Sequence, residues 1–195
     1  MKLVLASKNK KKLAEMNAIL SQLGVEVCSE AEAGVDVDVE ETGDTFEANS
    51  LLKARAVMEA SGLPAVADDS GLCVDCLGGA PGVYSARYGG GDLDDVSRYR
   101  LLLENMRGQL VRTAKFVSVI TCCFPNGDVL SARGECPGVI AGAAAGEGGF
   151  GYDPVFFVPE LGKTFAQLTA QEKNAISHRG KALAAFQEKL KAYLE

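Results

Sequence analysis

The sequence predicts an α/β protein built on a mixed sheet, and three observations carry that prediction. Strand-like and helix-like hydrophobic periods alternate along the chain. Short apolar runs end in turn residues and pass directly into helical patterns. One segment, Pro125-Asn126-Gly127-Asp128, is a hairpin signal between two long apolar runs. Interleaving favours parallel pairing whereas a hairpin needs an antiparallel pair, so both are expected in one sheet. With 195 residues, 47% of them apolar and 24% charged, and no repeat, the chain reads as one globular domain over residues 1–195.

Lys2 to Ala6 reads as a short buried strand ended by Ser7-Lys8-Asn9. Leu13, Met16, Leu20 and Leu23 then recur at helical spacing, with Gly24 as the stop. Val35, Val37 and Val39 alternate with Asp36, Asp38 and Glu40, the period of a strand with one acidic face, which Glu41-Thr42-Gly43-Asp44 breaks. A helix is expected from Thr45 to Ser61, with Phe46, Leu52, Ala56 and Val57 inward and Gly62 as its end. Ala65-Val66-Ala67 is read as a buried strand that ends in the carboxylates of Asp68 and Asp69. A helix over Leu93–Asn105, strands over Thr113–Phe124 and Val129–Ile140, and a short strand over Val155–Val158 follow. Thr169-Ala170-Gln171-Glu172 has the form of a capping box, and Ala182, Leu183, Phe186, Leu190 and Tyr193 mark the buried stripe of a last helix.

Charge and apolar patterning exclude several classes. A net charge of −6 argues against wrapping of DNA or RNA, so no nucleic-acid partner is expected. No apolar run approaches the roughly 20 residues of a membrane span, and no signal-peptide core follows the first residues, so a cytoplasmic protein without membrane contact is expected. The six cysteines are read as reduced thiols in that compartment.

Three motifs are rejected on their context. Gly146-Glu147-Gly148-Gly149-Phe150-Gly151 fits GxGxxG but precedes Asp153-Pro154 and an apolar strand instead of opening a helix. Gly162-Lys163-Thr164 resembles the end of a P-loop, yet the glycine required five positions earlier is Phe157. Cys73 and Cys76 are three apart on an expected strand, which turns them to opposite faces, and one histidine in the chain leaves zinc short of ligands.

The carboxylates say more. Glu40, Glu41, Asp68 and Asp69 are expected at strand ends, and an oxygen-only ligand set suits Mg²⁺, which takes one or two carboxylates with waters and phosphates. Lys8, Lys10, Lys11 and Lys12 oppose the macrodipole of the first helix, a local cost that a bound anion would relieve. Together these point to a metal and phosphate site. Ser177-His178-Arg179 at the start of the last helix offers groups for reading a purine carbonyl, and Phe150 and Tyr152 offer rings for stacking.

Ser7-x-Asn9-x-x-Lys12, Glu40-Glu41-Thr42-Gly43, Asp68-Asp69-Ser70-Gly71, Gly78-Gly79-Ala80-Pro81-Gly82, Gly148 to Pro154 and Ser177-His178-Arg179-Gly180, taken in order, resemble the inosine/xanthosine triphosphate pyrophosphatase family. The resemblance covers nearly the whole chain. It implies an elongated mixed β-sheet flanked by helices, two lobes with a central cleft, and a homodimer. It also implies Mg²⁺-dependent hydrolysis of the non-standard purine triphosphates ITP, dITP and XTP to monophosphate and pyrophosphate. Carried over by position, Ser7, Asn9, Lys12 and Lys53 would hold the triphosphate. Glu40 and Asp69 would serve the metal, with Asp69 also the proton acceptor. Ser70, Phe150, Gly151, Tyr152, Asp153, Lys173, His178 and Arg179 would line the rest of the nucleotide site. One departure is visible: where the family usually has Phe-x-Glu-Asn, this chain has Phe46-Glu47-Ala48-Asn49. Two rivals remain at this point. Asp36-Val37-Asp38 loosely resembles the DxD strand end of haloacid-dehalogenase-like phosphatases, and a non-catalytic nucleotide-sensing module would bind ITP without turnover.

Overall fold

The computed structural model describes residues 1–195. Seven strands form one sheet: β1 (Lys2–Leu5), β2 (Glu26–Ser29), β3 (Ala65–Val74), β4 (Thr113–Cys123), β5 (Val129–Ile140), β6 (Phe156–Val158) and β7 (Lys163–Thr164), in the order β2-β1-β3-β4-β5-β6-β7. β1 is parallel to β2 and to β3, whereas β6 is antiparallel to β5 and to β7, so the sheet is mixed as expected. Five α-helices accompany it: α1 (Lys10–Leu20), α2 (Phe46–Ser61), α3 (Asp95–Asn105), α4 (Ala170–Ile176) and α5 (His178–Leu194). None is long and apolar enough to cross a membrane.

The chain forms two compact units. One comprises Met1–Asp69, Ser118–Gly134 and Lys181–Glu195, and the other Ser70–Val117 and Glu135–Gly180. Each has its own core. In the first, period-2 alternation splits the strands between two apolar clusters. Leu3 and Leu5 of β1 and Val66 of β3 pack with Met16 and Leu20 of α1 and with Leu183, Phe186 and Leu190 of α5. Val4, Ala65 and Ala67 face the other way, against Ala54 and Val57 of α2. The second unit is centred on Leu72, Leu102, Phe116, Tyr152, Phe156 and Phe165.

The helix ends follow their local chemistry. Thr45 caps α2 by accepting the Ala48 N–H at 3.1 Å, and Gly62, at φ 69°, closes the helix in the left-handed conformation. The box predicted at Thr169 and Glu172 forms in both directions, with Thr169 donating its N–H to Glu172 and accepting from the Glu172 N–H. The Asn126-Gly127 turn also forms, but only Gly127 has a positive φ, 94°. Gly127 N–H bonds the Phe124 carbonyl and Phe124 N–H bonds the Asp128 carbonyl. This is the three-residue loop with a left-handed glycine, in place of the two-residue turn that needs positive φ at both positions.

Four expectations are corrected. Residues 35–40 form no strand; Val35, Val37 and Val39 are half-buried while Asp36, Asp38 and Glu40 are exposed, so the alternation records which side faces the protein in an extended segment without a ladder. The buried DxD strand end of the phosphatase rival is therefore not formed, and Asp36 pairs at the surface with Lys8. Asp68 and Asp69 lie within β3, which runs on to Val74, so they do not mark a strand end. In α2, Leu52 is exposed, and Ala54 takes an inward place between Phe46 and Val57. β2 had no counterpart among the expected strands.

Candidate active site

The first unit holds Ser7, Asn9, Lys12, Glu40, Lys53 and Asp69. Ser7 lies two residues beyond the end of β1 and its Oγ accepts the Asn9 N–H, and Asn9 caps α1 by accepting the Lys11 N–H at 2.9 Å and the Lys12 N–H at 3.4 Å. The cap uses the Asn9 side-chain oxygen, whereas the group of Asn9 that could donate to a phosphate is its amide Nδ2. No acid stands in the first turn of α1. Instead Lys12 pairs with the buried carboxylate of Asp68, and Lys8 with Asp36.

Lys53 is the hub. Its Nζ lies 2.8 Å from Glu41 Oε1 and 2.8 Å from Asp69 Oδ1, and it donates to the Asp68 main-chain carbonyl at 3.1 Å. Successive residues of a strand point to opposite faces, and accordingly Asp68 takes Lys12 while Asp69 takes Lys53. Burial pulls the Lys53 ammonium down, but the carboxylates of Asp69 and Glu41 outweigh it and its pKa is raised. Asp69 is also raised, because burial outweighs the stabilising charge of Lys53 and the nearby acids of Glu41 and Asp68 add to the effect. Its second oxygen, Oδ2, is buried and has no hydrogen-bond partner. A cavity of about 120 Å³ in this unit is lined by Ser7, Lys8, Glu30, Val37 and Lys53, among others.

Asp69 and Glu41 are oxygen donors of the kind an oxygen-preferring divalent cation takes, although no three acidic, histidine or cysteine side chains stand together as a metal cluster. The Asp69 Oδ2 atom is an orphaned anionic oxygen, and Glu41 supplies a second carboxylate at the same ammonium. Glu40, expected as a ligand, is exposed, and the acid that stands at Lys53 is its neighbour Glu41. Glu47 does not replace the missing family glutamate there: it pairs with Arg133 at 2.6 Å.

The second unit holds the remaining predicted residues. Ser70 is half-buried on β3. The loop before β6 is folded around Asp153, which is 3% exposed and accepts both the Phe150 N–H at 3.0 Å and the Lys173 ammonium at 2.5 Å. Gly149 has φ 73°, and a Cβ there would lie 2.0 Å from Asp153 Oδ2, which accounts for the glycine. Gly151 donates its N–H to Asp95 at the start of α3. Phe150 is 57% exposed, with Lys173 Nζ 4.9 Å from its ring centroid.

Tyr152 is not a stacking surface. It is 5% exposed, packs in the core, and donates its hydroxyl to the Ser85 carbonyl at 2.6 Å. The His178 ring stacks on Phe116, centroids 4.8 Å apart and planes 14° apart, which fixes the imidazole at the first residue of α5. Arg179 follows it, half-buried. Gly180 permits close packing here, since a Cβ would fall 2.2 Å from the Asn174 carbonyl oxygen. Both rejected nucleotide motifs stay rejected: residues 146–151 open no α-helix, and Lys163-Thr164 is a strand. All six cysteines are free.

The residues that sequence reasoning left out of the site are Glu41, Asp68 as the partner of Lys12, and Asp95 and Ser85, which anchor the aromatic loop. Glu41 and Asp68 each stand in an acidic pair that the sequence makes visible, with nothing local to say which member meets which lysine; Asp95 and Ser85 carry no local signal.

A sequence model of the Ham1 family matches residues 3–189. The chain is 50% identical over 190 residues to a dITP/XTP pyrophosphatase of Desulforamulus reducens, covering 96% of this chain and 94% of the relative. It is 48% identical over 194 residues to the dITP/XTP pyrophosphatase of Escherichia coli strain K12, covering 97% and 98%. Among solved structures, the Ham1 protein of Staphylococcus aureus superposes with a TM-score of 0.94 at 41% identity, covering 99% of this chain and all of that one. Matches of this length and identity, on a chain whose acidic, lysine and glycine-rich blocks form the clusters described above, place it in a family: this protein belongs to the Ham1 family.

Proposed function

We propose that this protein hydrolyses the non-standard purine triphosphates ITP, dITP and XTP at the α-phosphorus, releasing the monophosphate and pyrophosphate. The observation that carries the reading is the pair of oxygens on Asp69: Oδ1 is held by Lys53, and Oδ2 is buried without a partner. Such an oxygen can take a proton or a cation. Its raised pKa makes it a better proton acceptor than an ordinary aspartate.

Lys53 holds the reacting carboxylate in place and, with Lys12 and the first turn of α1, supplies positive charge for the phosphates. Asp69 orients the attacking water and accepts its proton. Glu41 and Asp69 are the residues that would hold Mg²⁺, which when bound supplies charge neutralisation on the phosphoanhydride.

Among the residues that the family resemblance assigns to the base, Phe150 offers an exposed ring, backed by Lys173. Arg179 or a main-chain donor can read the C6 carbonyl of hypoxanthine or xanthine. Adenine places an amino group there, and two facing donors would leave both unpaired, a mismatch that supports rejection of ATP. The family resemblance further supports a homodimer working in the cytoplasm.

The test is pyrophosphate release from ITP, XTP, GTP and ATP with and without Mg²⁺. Pyrophosphate from ITP and XTP, dependent on Mg²⁺ and weak from ATP and GTP, is expected. Orthophosphate as the sole product would favour a phosphatase, and tight ITP binding without turnover a sensor.

A further inference from the structure

Asn49 is completely buried on α2, one helical turn before Lys53, so the two side chains leave the same face of the helix. Both reach the segment that carries Glu41. Lys53 takes the Glu41 carboxylate at 2.8 Å, and Asn49 Oδ1 accepts the Gly43 N–H at 2.8 Å. Gly43 sits directly on the first turn of α2: a Cβ there would lie 2.7 Å from both Ala48 Cβ and Asn49 Oδ1. Because residues 35–44 belong to no strand or helix, no ladder sets their position. Buried polar side chains do so instead, Glu30 accepting the Val37 N–H at 3.0 Å and Asn49 accepting that of Gly43.

The other half of the Asn49 amide argues that the residue is not there for stability. Nδ2 is buried and has no hydrogen-bond partner, and a buried donor left unpaired is a cost that an apolar side chain of similar volume would avoid. What the amide achieves is the bond to Gly43, two residues from Glu41. We propose that Asn49 is a positioning residue, which acts on the reaction by fixing the Glu41-Thr42-Gly43 turn so that Glu41 meets Lys53 beside Asp69. This rests on the reading of Glu41, Lys53 and Asp69 as the reacting centre.

A double-mutant cycle tests it. Asn49→Ala is expected to lower kcat on ITP about tenfold, the scale of a small misplacement of a reacting group, with KM within about twofold. In a Glu41→Gln background the same change is expected to cost less than about twofold, because the group that Asn49 positions is already lost. A penalty of Asn49→Ala that persists in full in that background would overturn the proposal, as would full activity of Asn49→Ala in a protein that Glu41→Gln disables. Gly43→Ala breaks the same contact from the loop side, leaves Asn49 intact, and is expected to show the same loss and the same coupling; it carries the test if Asn49→Ala does not fold. Full activity of Glu41→Gln would overturn the reacting centre itself and the positioning role with it, a result distinct from the failure of Asn49 alone.

Discussion

Asp69→Asn is expected to reduce pyrophosphate release from ITP about 10³-fold, in the range lost with a positioned proton acceptor, without lowering the thermal stability of the metal-free protein. The two halves of this result have one cause. Burial raises the Asp69 pKa against the pull of Lys53. A carboxyl with a folded pKa above its unfolded one binds its proton more tightly in the native state. Stability therefore falls as pH rises from the ordinary aspartate value of 3.8 through the folded value, and the ionised group is a net cost at neutral pH. Asparagine keeps the shape and removes that cost, and it does not strand Lys53, which keeps the Glu41 carboxylate at 2.8 Å and the Asp68 carbonyl at 3.1 Å. A melting temperature equal to or above that of the wild type, together with collapsed activity, is the expected pattern. Residual activity within about tenfold of the wild type would remove Asp69 from the chemistry.

Lys53→Met should be damaging in a different way. It leaves Asp69 and Glu41 facing each other with no cation between them, and breaking a buried ion pair from one side costs about 3 kcal/mol. For a chain of this length that corresponds to a fall of roughly 6–12 °C in melting temperature. The sign follows from Lys53 itself. Its pKa is raised, so its contribution to stability is fully present at neutral pH and is lost only as pH rises through the folded value above 10.5. Differential scanning calorimetry of the two variants separates them, since one loses activity alone and the other loses activity and stability. Adding Asp69→Asn to Lys53→Met should recover part of the lost stability, because it removes one of the two stranded acids.

The fold was legible where a local signal sets an element. The cap at Thr45 with the stop at Gly62 and the box at Thr169 and Glu172 formed within a residue or two of expectation, and the stripe of α5 formed at Ala182, Leu183, Phe186 and Leu190, whereas Tyr193, expected in it, is exposed near the helix end. Signals failed where partners lie far along the chain. Asp68 and Asp69 read as a strand end because carboxylates do not belong in a buried strand; their partners, Lys12 and Lys53, lie 56 and 16 residues away, and with them β3 continues unbroken. The Val35 to Glu40 alternation was real in burial but the segment pairs with no strand, and periodicity reports only the former. β2 is four residues long, too short for a period to show.

The site divides in the same way. Its residue types could be named from the blocks Asp68-Asp69-Ser70-Gly71 and Gly148 to Pro154, yet which acid of Glu40-Glu41 meets Lys53 depends on the parity of an extended segment, and that is set by Gly43 on Asn49. Tyr152 and Phe150, two residues apart in a glycine-rich loop, looked equivalent as rings. The Ser85 carbonyl draws Tyr152 into the core and leaves Phe150 outside, a division that only the folded loop reveals.

The central claim is that the Asp69 centre directs water to the α-phosphorus. Hydrolysis of ITP in water labelled with heavy oxygen, with Mg²⁺ present, tests this most directly. Mass spectrometry is expected to find the label in inosine monophosphate and none in pyrophosphate. Label in pyrophosphate would place the attack at the β-phosphorus, and label in orthophosphate would place it at the terminal one; either contradicts the assignment.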